Sequence, residues 1–139
     1  FAEKDMELNG ELILSDSAAG KLRQLMGIKD YIIEQGVSGN WTYYKYASGY
    51  ADLWWRGTVT PTSYTAVGSM VYTNIIRLSM PFGVTGNVVV TGTGDNLHIL
   101  TNVDWSYANK TVSFRLLRAA SMALGEQVVA LRVMGKWKA

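Results

Sequence analysis

The sequence predicts an all-β chain, a β-sandwich of jelly-roll type preceded by a short N-terminal helix. Three observations carry that expectation. The 139 residues hold 3 Phe, 5 Trp and 8 Tyr, large rings that suit the half-buried surface of a pleated sheet. The 14 Gly, against 2 Pro, read as turn punctuation between strands. Turn signals recur every eight to twelve residues or so, the spacing of sandwiches and jelly rolls, and no helix of crossover length intervenes as a parallel sheet would need.

In chain order, Glu11-Leu12-Ile13-Leu14 after Asn9-Gly10 reads as a brief extended segment, and Leu8, Leu12 and Leu14 are too few for a heptad repeat. A helix is predicted from Ser17 to Met26. Ser17 can cap it, Leu22, Leu25 and Met26 form one apolar stripe, and Gly27 can end it. Strands are predicted at Asn40 to Tyr46, Tyr50 to Thr60, Met70 to Met80, Asn87 to Thr91, Leu97 to Asp104, Lys110 to Leu117 and Gln127 to Trp137. Each is rich in β-branched or aromatic residues and bounded by Gly, Asn, Asp, Ser or Pro. Thr91-Gly-Thr-Gly-Asp-Asn96 reads as the clearest loop, and Arg118 to Leu124 has room for a helical turn. Residues 1–29 thus form a lead-in and 30–139 the sandwich, and the start at Phe1 suggests the end of a longer chain.

Alternation sorts the faces of these strands. Trp41, Tyr43 and Lys45 lie on one side of the first, with Thr42, Tyr44 and Tyr46 on the other. In the next, Tyr50, Asp52, Trp54 and Arg56 oppose the more apolar Ala51, Leu53 and Trp55. Val112, Phe114 and Leu116 read as inward against Thr111, Ser113 and Arg115, a strand with one wet face. The last strand sets Val129, Leu131 and Val133 against Val128, Ala130, Arg132 and Met134. Both of its faces are largely apolar, which points to a neighbouring subunit over one of them.

Composition excludes several classes of function. With 0 Cys there is no disulfide, thiol catalysis, thiolate zinc site or iron–sulfur cluster. The net charge of +2, without a basic run, is too small for phosphate neutralisation along a nucleic acid. Apolar stretches are too short for membrane insertion by a helix. The single histidine, His98, could build a metal ring only if three chains met on an axis, and the preferred reading is a strand histidine bonded to a backbone group. Asp95 and Asp104 read as a turn former and a strand end, no Gly-x-Ser-x-Gly elbow is present, and the Thr91-Gly-Thr-Gly segment lacks the Lys-Ser/Thr of a phosphate loop. No catalytic residue, metal ligand or cofactor is assigned, and the chain is read as not an enzyme.

Asp30-Tyr-Ile-Ile-Glu-Gln-Gly36 leads into Gly39-Asn-Trp-Thr-Tyr43, Lys45, Ser48-Gly49, Ala51 and Trp54, while Met80-Pro-Phe82 and Val133-Met-Gly-Lys-Trp-Lys138 follow in order. This series resembles a pattern recurrent near the C-terminal ends of bacteriophage and prophage tail-fibre and baseplate proteins, from Asp30 to Lys138. Tyr44 and Tyr46 stand where the pattern has Arg and Trp, Asp52-Leu53 where it has Glu-Cys, and Trp55 where it has Gly. The resemblance implies the distal tip of a phage tail fibre, built as a homotrimer and joined to an upstream shaft or baseplate. In the virion it would adhere, outside the host cell, to a bacterial surface polysaccharide or lipopolysaccharide.

Saccharides offer apolar C–H faces and a rim of hydroxyls, so they need aromatic planes together with carboxylates, amides or guanidinium groups. Trp55, Tyr44, Tyr46, Tyr50, Asp52 and Arg56 supply those types and are the candidate glycan-binding residues. Trp41 and Trp54, which match the pattern, read as structural, whereas Trp55, Tyr44 and Tyr46 depart from it and read as specificity determinants. Two other readings stand beside adhesion. One is a purely structural tail or baseplate component whose rings pack against a neighbour, and the other is a polysaccharide-degrading tail enzyme, which would need two carboxylates at a defined separation.

Overall fold

The computed structural model describes residues 16–27 and 30–138. The chain divides into two compact units, 1–31 and 32–139. In the first, α1 spans Asp16–Leu25, one residue ahead of the expected start. It closes where Gly27, at a φ of 75°, follows a Met26 N–H bond to Leu22 O at 3.0 Å. The extended segment expected at Glu11 to Leu14 lies outside the described residues, as does the side chain of Ser17.

The second unit is all β: β1 (Ile32–Ser38), β2 (Trp41–Tyr46), β3 (Tyr50–Val59), β4 (Tyr64–Val67), β5 (Met70–Thr73), β6 (Ile76–Ser79), β7 (Thr85–Gly94), β8 (Ile99–Ser106), β9 (Thr111–Arg118) and β10 (Gln127–Lys136). One sheet has the order β1-β2-β3-β10-β7. In the other, β9 is flanked on one edge by β8 and on the other by β5 and β6, with β4 beside β5. All pairings are antiparallel. The two inner faces share one core, where Leu53, Trp55, Leu131 and Val133 of the first sheet meet Ile76, Val112, Phe114 and Leu116 of the second. Burying a Val, Leu or Phe side chain of this kind contributes about 1.5–3 kcal/mol.

Four expectations are corrected. The strand expected at Met70 to Met80 is interrupted: from Val71 to Ile76 the edge advances five residues while its partner β9 moves four, from Arg118 to Phe114. The extra residue is a bulge, and the buried Thr73 hydroxyl fills the gap by accepting the Leu116 N–H at 3.0 Å. The segment Thr91-Gly-Thr-Gly94 is strand, not loop, because it pairs with Arg132 to Val129. Its glycines mark close packing: a Cβ on Gly92 would lie 2.6 Å from Leu131 Cδ2 and 2.7 Å from Ala130 O. Arg118 to Leu124 forms no helical turn, and the guanidinium of Arg118 instead holds the Ala120 and Asn96 carbonyls. Finally, β1 and β4 are strands that propensity passes over. Gly36 interrupts β1, and the Tyr43 ring lies across it, its hydroxyl 2.6 Å from where a Cβ would stand.

Candidate functional site

Period-two alternation in β3 turns Ala51, Leu53, Trp55 and Val59 into the core and leaves Tyr50, Asp52, Trp54 and Arg56 on the outer face of the five-stranded sheet β1-β2-β3-β10-β7. The register sets Trp54 between Thr42 on β2 and Arg132 on β10, and Asp52 between Tyr44 and Met134. Arg132 leans along the strand to the diagonal position. Its Nε–H donates to Asp52 Oδ1 at 3.1 Å and its Nη2 to Oδ2 at 2.7 Å, a bidentate pair. The same guanidinium lies 4.4 Å from the centre of the Trp54 ring. Its hydrogen bonds to Asp52 hold the Arg132 pKa above the ordinary guanidinium value.

Trp54 is thereby fixed as a wall between two shallow hollows. One, of about 510 Å³, is lined by Ile32, Thr42, Tyr44, Tyr46, Asp52 and Trp54. The other, of about 300 Å³, lies on the β7 side and includes Thr91, Thr93, Ala130 and Arg132. Together they offer an indole plane, two phenols, threonine hydroxyls, a carboxylate and a guanidinium, the donor and acceptor set that a saccharide needs.

Of the candidate residues, Tyr44, Tyr46 and Asp52 line the larger hollow. Tyr50 stands exposed on the same face, its ring 5.9 Å from Lys136 Nζ, and lines neither hollow. Arg56 is exposed opposite Ala130 and also lines neither hollow. Trp55 is corrected: it is 7% exposed and belongs to the core, so it presents no ring to this face, while the neighbouring Trp54, expected to be structural, is 44% exposed. Arg132 was not among the candidates, although it is the single charge within the otherwise apolar Val128 to Met134 run.

Trp54 apart, motif residues that carry the resemblance meet away from this face, around Lys45. Its Nζ is 3.3 Å from Glu34 Oε2, 4.6 Å from the Phe82 ring centre and 5.1 Å from that of Trp137. Tyr43 packs edge-on to Phe82 at 5.2 Å, and Trp137 Nε1–H donates to Tyr46 O at 3.1 Å. Those residues tie β1, β2 and the chain end together. The residues that depart from the pattern at 44, 46 and 52 point outward.

His98 is buried with both ring nitrogens engaged. Nδ1 lies 2.8 Å from Asp95 O, which can only accept, so Nδ1 carries the hydrogen, and Nε2 lies 3.1 Å from the Tyr64 hydroxyl. Among the described residues no cluster of His, Asp and Glu could hold a metal ion, and no helix is long and apolar enough to cross a membrane. No protein-family model, no characterised protein and no solved structure matches the chain.

Proposed function

We propose that the chain is the distal tip of a phage tail fibre, which adheres to a saccharide of the bacterial surface through the outer face of the sheet β1-β2-β3-β10-β7. The observation that carries this reading is the exposed Trp54 plane, clamped by the Arg132–Asp52 pair between two polar-rimmed hollows. An indole held in one orientation costs little further entropy when a sugar ring stacks on it. The chain path favours a jelly roll, since it passes from β3 to the opposite sheet at β4, β5 and β6, returns at β7, crosses again to β8 and β9, and closes with β10 between β3 and β7. Assembly as a homotrimer accords with the apolar residues exposed on β1 outside the larger hollow, where Val37 is 74% exposed and Ile33 is also uncovered. A shallow site binds weakly, and three copies on one fibre multiply its effective affinity.

The reading is tested on immobilised lipopolysaccharide and capsular polysaccharide from a panel of bacteria, with sedimentation run in parallel. Retention of the wild-type chain on at least one polysaccharide, lost in Trp54→Ala with sedimentation unchanged, is the expected result. A monomer that no polysaccharide retains would overturn it in favour of a structural tail component, and release of reducing sugar would favour the enzyme.

A further inference from the structure

The opposite sheet carries a hollow that the adhesion reading does not use. It measures about 410 Å³ and is lined by Tyr72 of β5, Thr101 and Asn102 of β8, and Arg115 and Leu117 of β9. The register gathers these side chains: Thr101 faces Arg115, and Leu117 lies between Ile99 and Tyr72. A bulge shapes the rim, because Thr101 to Asp104 advances three residues while Arg115 to Ser113 advances two. Asn102 takes up the difference at a φ of 53°, a conformation that Asn tolerates better than most residues and that often marks a functional position.

Arg115 is the charge of this hollow. Its guanidinium carbon lies 4.9 Å from the centre of the Tyr72 ring, and Nη1 donates to Thr73 O at 3.3 Å. Its Nε–H is enclosed without an acceptor, and among the described residues no carboxylate pairs with it. On the other sheet the same fork, in Arg132, is closed by Asp52. Arg115 keeps a partly sheltered positive charge with one carbonyl, on Nη1, as its partner, and the Nη edge of the fork is where an incoming carboxylate pairs with it.

We propose that this hollow binds a carboxylate-bearing sugar ring. The carboxylate pairs with the Arg115 guanidinium, the C–H surface packs against Leu117 and Tyr72, and hydroxyls reach Thr101 and Asn102. The fork accepts a carboxylate or a phosphate alike, so inorganic phosphate is disfavoured only because it has no C–H surface to set against Leu117 and Tyr72, and a neutral sugar leaves the charge unpaired. The site lies on a different sheet from Trp54 and does not depend on the adhesion reading.

The test is a titration followed by amide and arginine side-chain resonances, with glucuronate as the probe and glucose and inorganic phosphate as companions. Glucuronate should shift the Arg115 Nε–H and Asn102 signals saturably, and glucose and phosphate should each bind at least about tenfold more weakly. Arg115→Gln should lose the response. Asn102→Asp, which sets a carboxylate beside Arg115 at an exposed position, should lose it too, so that a folding defect in the first variant cannot account for the result. Trp54→Ala should respond as wild type. The absence of a saturable shift, an equal response to glucose or phosphate, or an undiminished response in Asn102→Asp would overturn the proposal.

Discussion

The Arg132 guanidinium bridges two neighbours on β3: it lies 4.4 Å from the centre of the Trp54 ring and places Nη2 2.7 Å from Asp52 Oδ2. The orientation of the exposed indole is therefore set from β10, at the far end of the chain. Arg132 is a positioning residue by this geometry. Arg132→Lys keeps the charge but removes the planar fork, freeing both the ring and the carboxylate. Polysaccharide binding should weaken by about tenfold with sedimentation unchanged, and the Trp54 ring resonances should broaden or move. Because Asp52 raises the Arg132 pKa, the linked stabilisation is present below the unfolded-state value and is lost only as pH rises through the folded one. Around neutral pH this residue therefore adds no pH dependence to binding, and a midpoint that moves in Arg132→Lys near neutrality would contradict the assignment.

Adjacent tryptophans should behave as opposites. Trp55→Ala empties part of the core and should cost about 3–5 kcal/mol in urea unfolding, whereas Trp54→Ala removes an exposed ring and should cost about 1 kcal/mol or less. Equal losses would mean that the outer face is not a free surface.

How far the sequence discloses this arrangement is clear from β3. Alternation alone separates Ala51, Leu53 and Trp55 from Tyr50, Asp52, Trp54 and Arg56, and the more apolar set is the buried one. Ranking Trp55 by its departure from the family pattern points the other way, and burial follows the alternation. The partner of Asp52 is not legible, because Arg132 lies 80 positions away and only the pairing of β3 with β10 brings it near. Bulges are hidden for the same reason: the extra residue near Thr73 and the one at Asn102 show only when the partner strand is counted against them. Glycine is ambiguous in sequence, since a Gly that frees a turn and a Gly that admits a neighbouring side chain look alike.

Gly92 is the second kind. A Cβ there would stand 2.7 Å from the Ala130 carbonyl, which belongs to β10, paired on both sides, and has little freedom to retreat. Gly92→Ala should destabilise the fold by about 1–3 kcal/mol. An unchanged unfolding midpoint would show that β7 is held less tightly against β10 than the register implies.

Thr73 offers a cleaner deletion. Its hydroxyl accepts the buried Leu116 N–H at 3.0 Å and donates to Asn74 O at 2.9 Å. Thr73→Val preserves shape but leaves that N–H without an acceptor, and should cost about 1–3 kcal/mol, while Thr73→Ser should recover most of the loss. Slowed exchange of the Leu116 amide in Thr73→Val, relative to wild type, would refute the bond.

The turn between β7 and β8 holds one residue type at odds with its backbone. Asn96 and Leu97 have φ of 51° and 63°, and the His98 N–H closes the turn on Asp95 O at 3.0 Å, the arrangement of a type I′ turn. Asn accepts the left-handed region, whereas Leu pays about 1–2 kcal/mol for it, and the 82% exposed side chain gains little packing in return. Leu97→Gly creates the Asn-Gly pair that this turn favours, offset by the roughly 0.5–1 kcal/mol of extra chain entropy that Gly loses on folding. The net expectation is a gain of about 0.5–1 kcal/mol in urea unfolding, with polysaccharide binding at Trp54 unchanged. A loss of stability on this substitution would mean that Leu97 makes an apolar contact, and a loss confined to the assembled protein would place that contact between subunits.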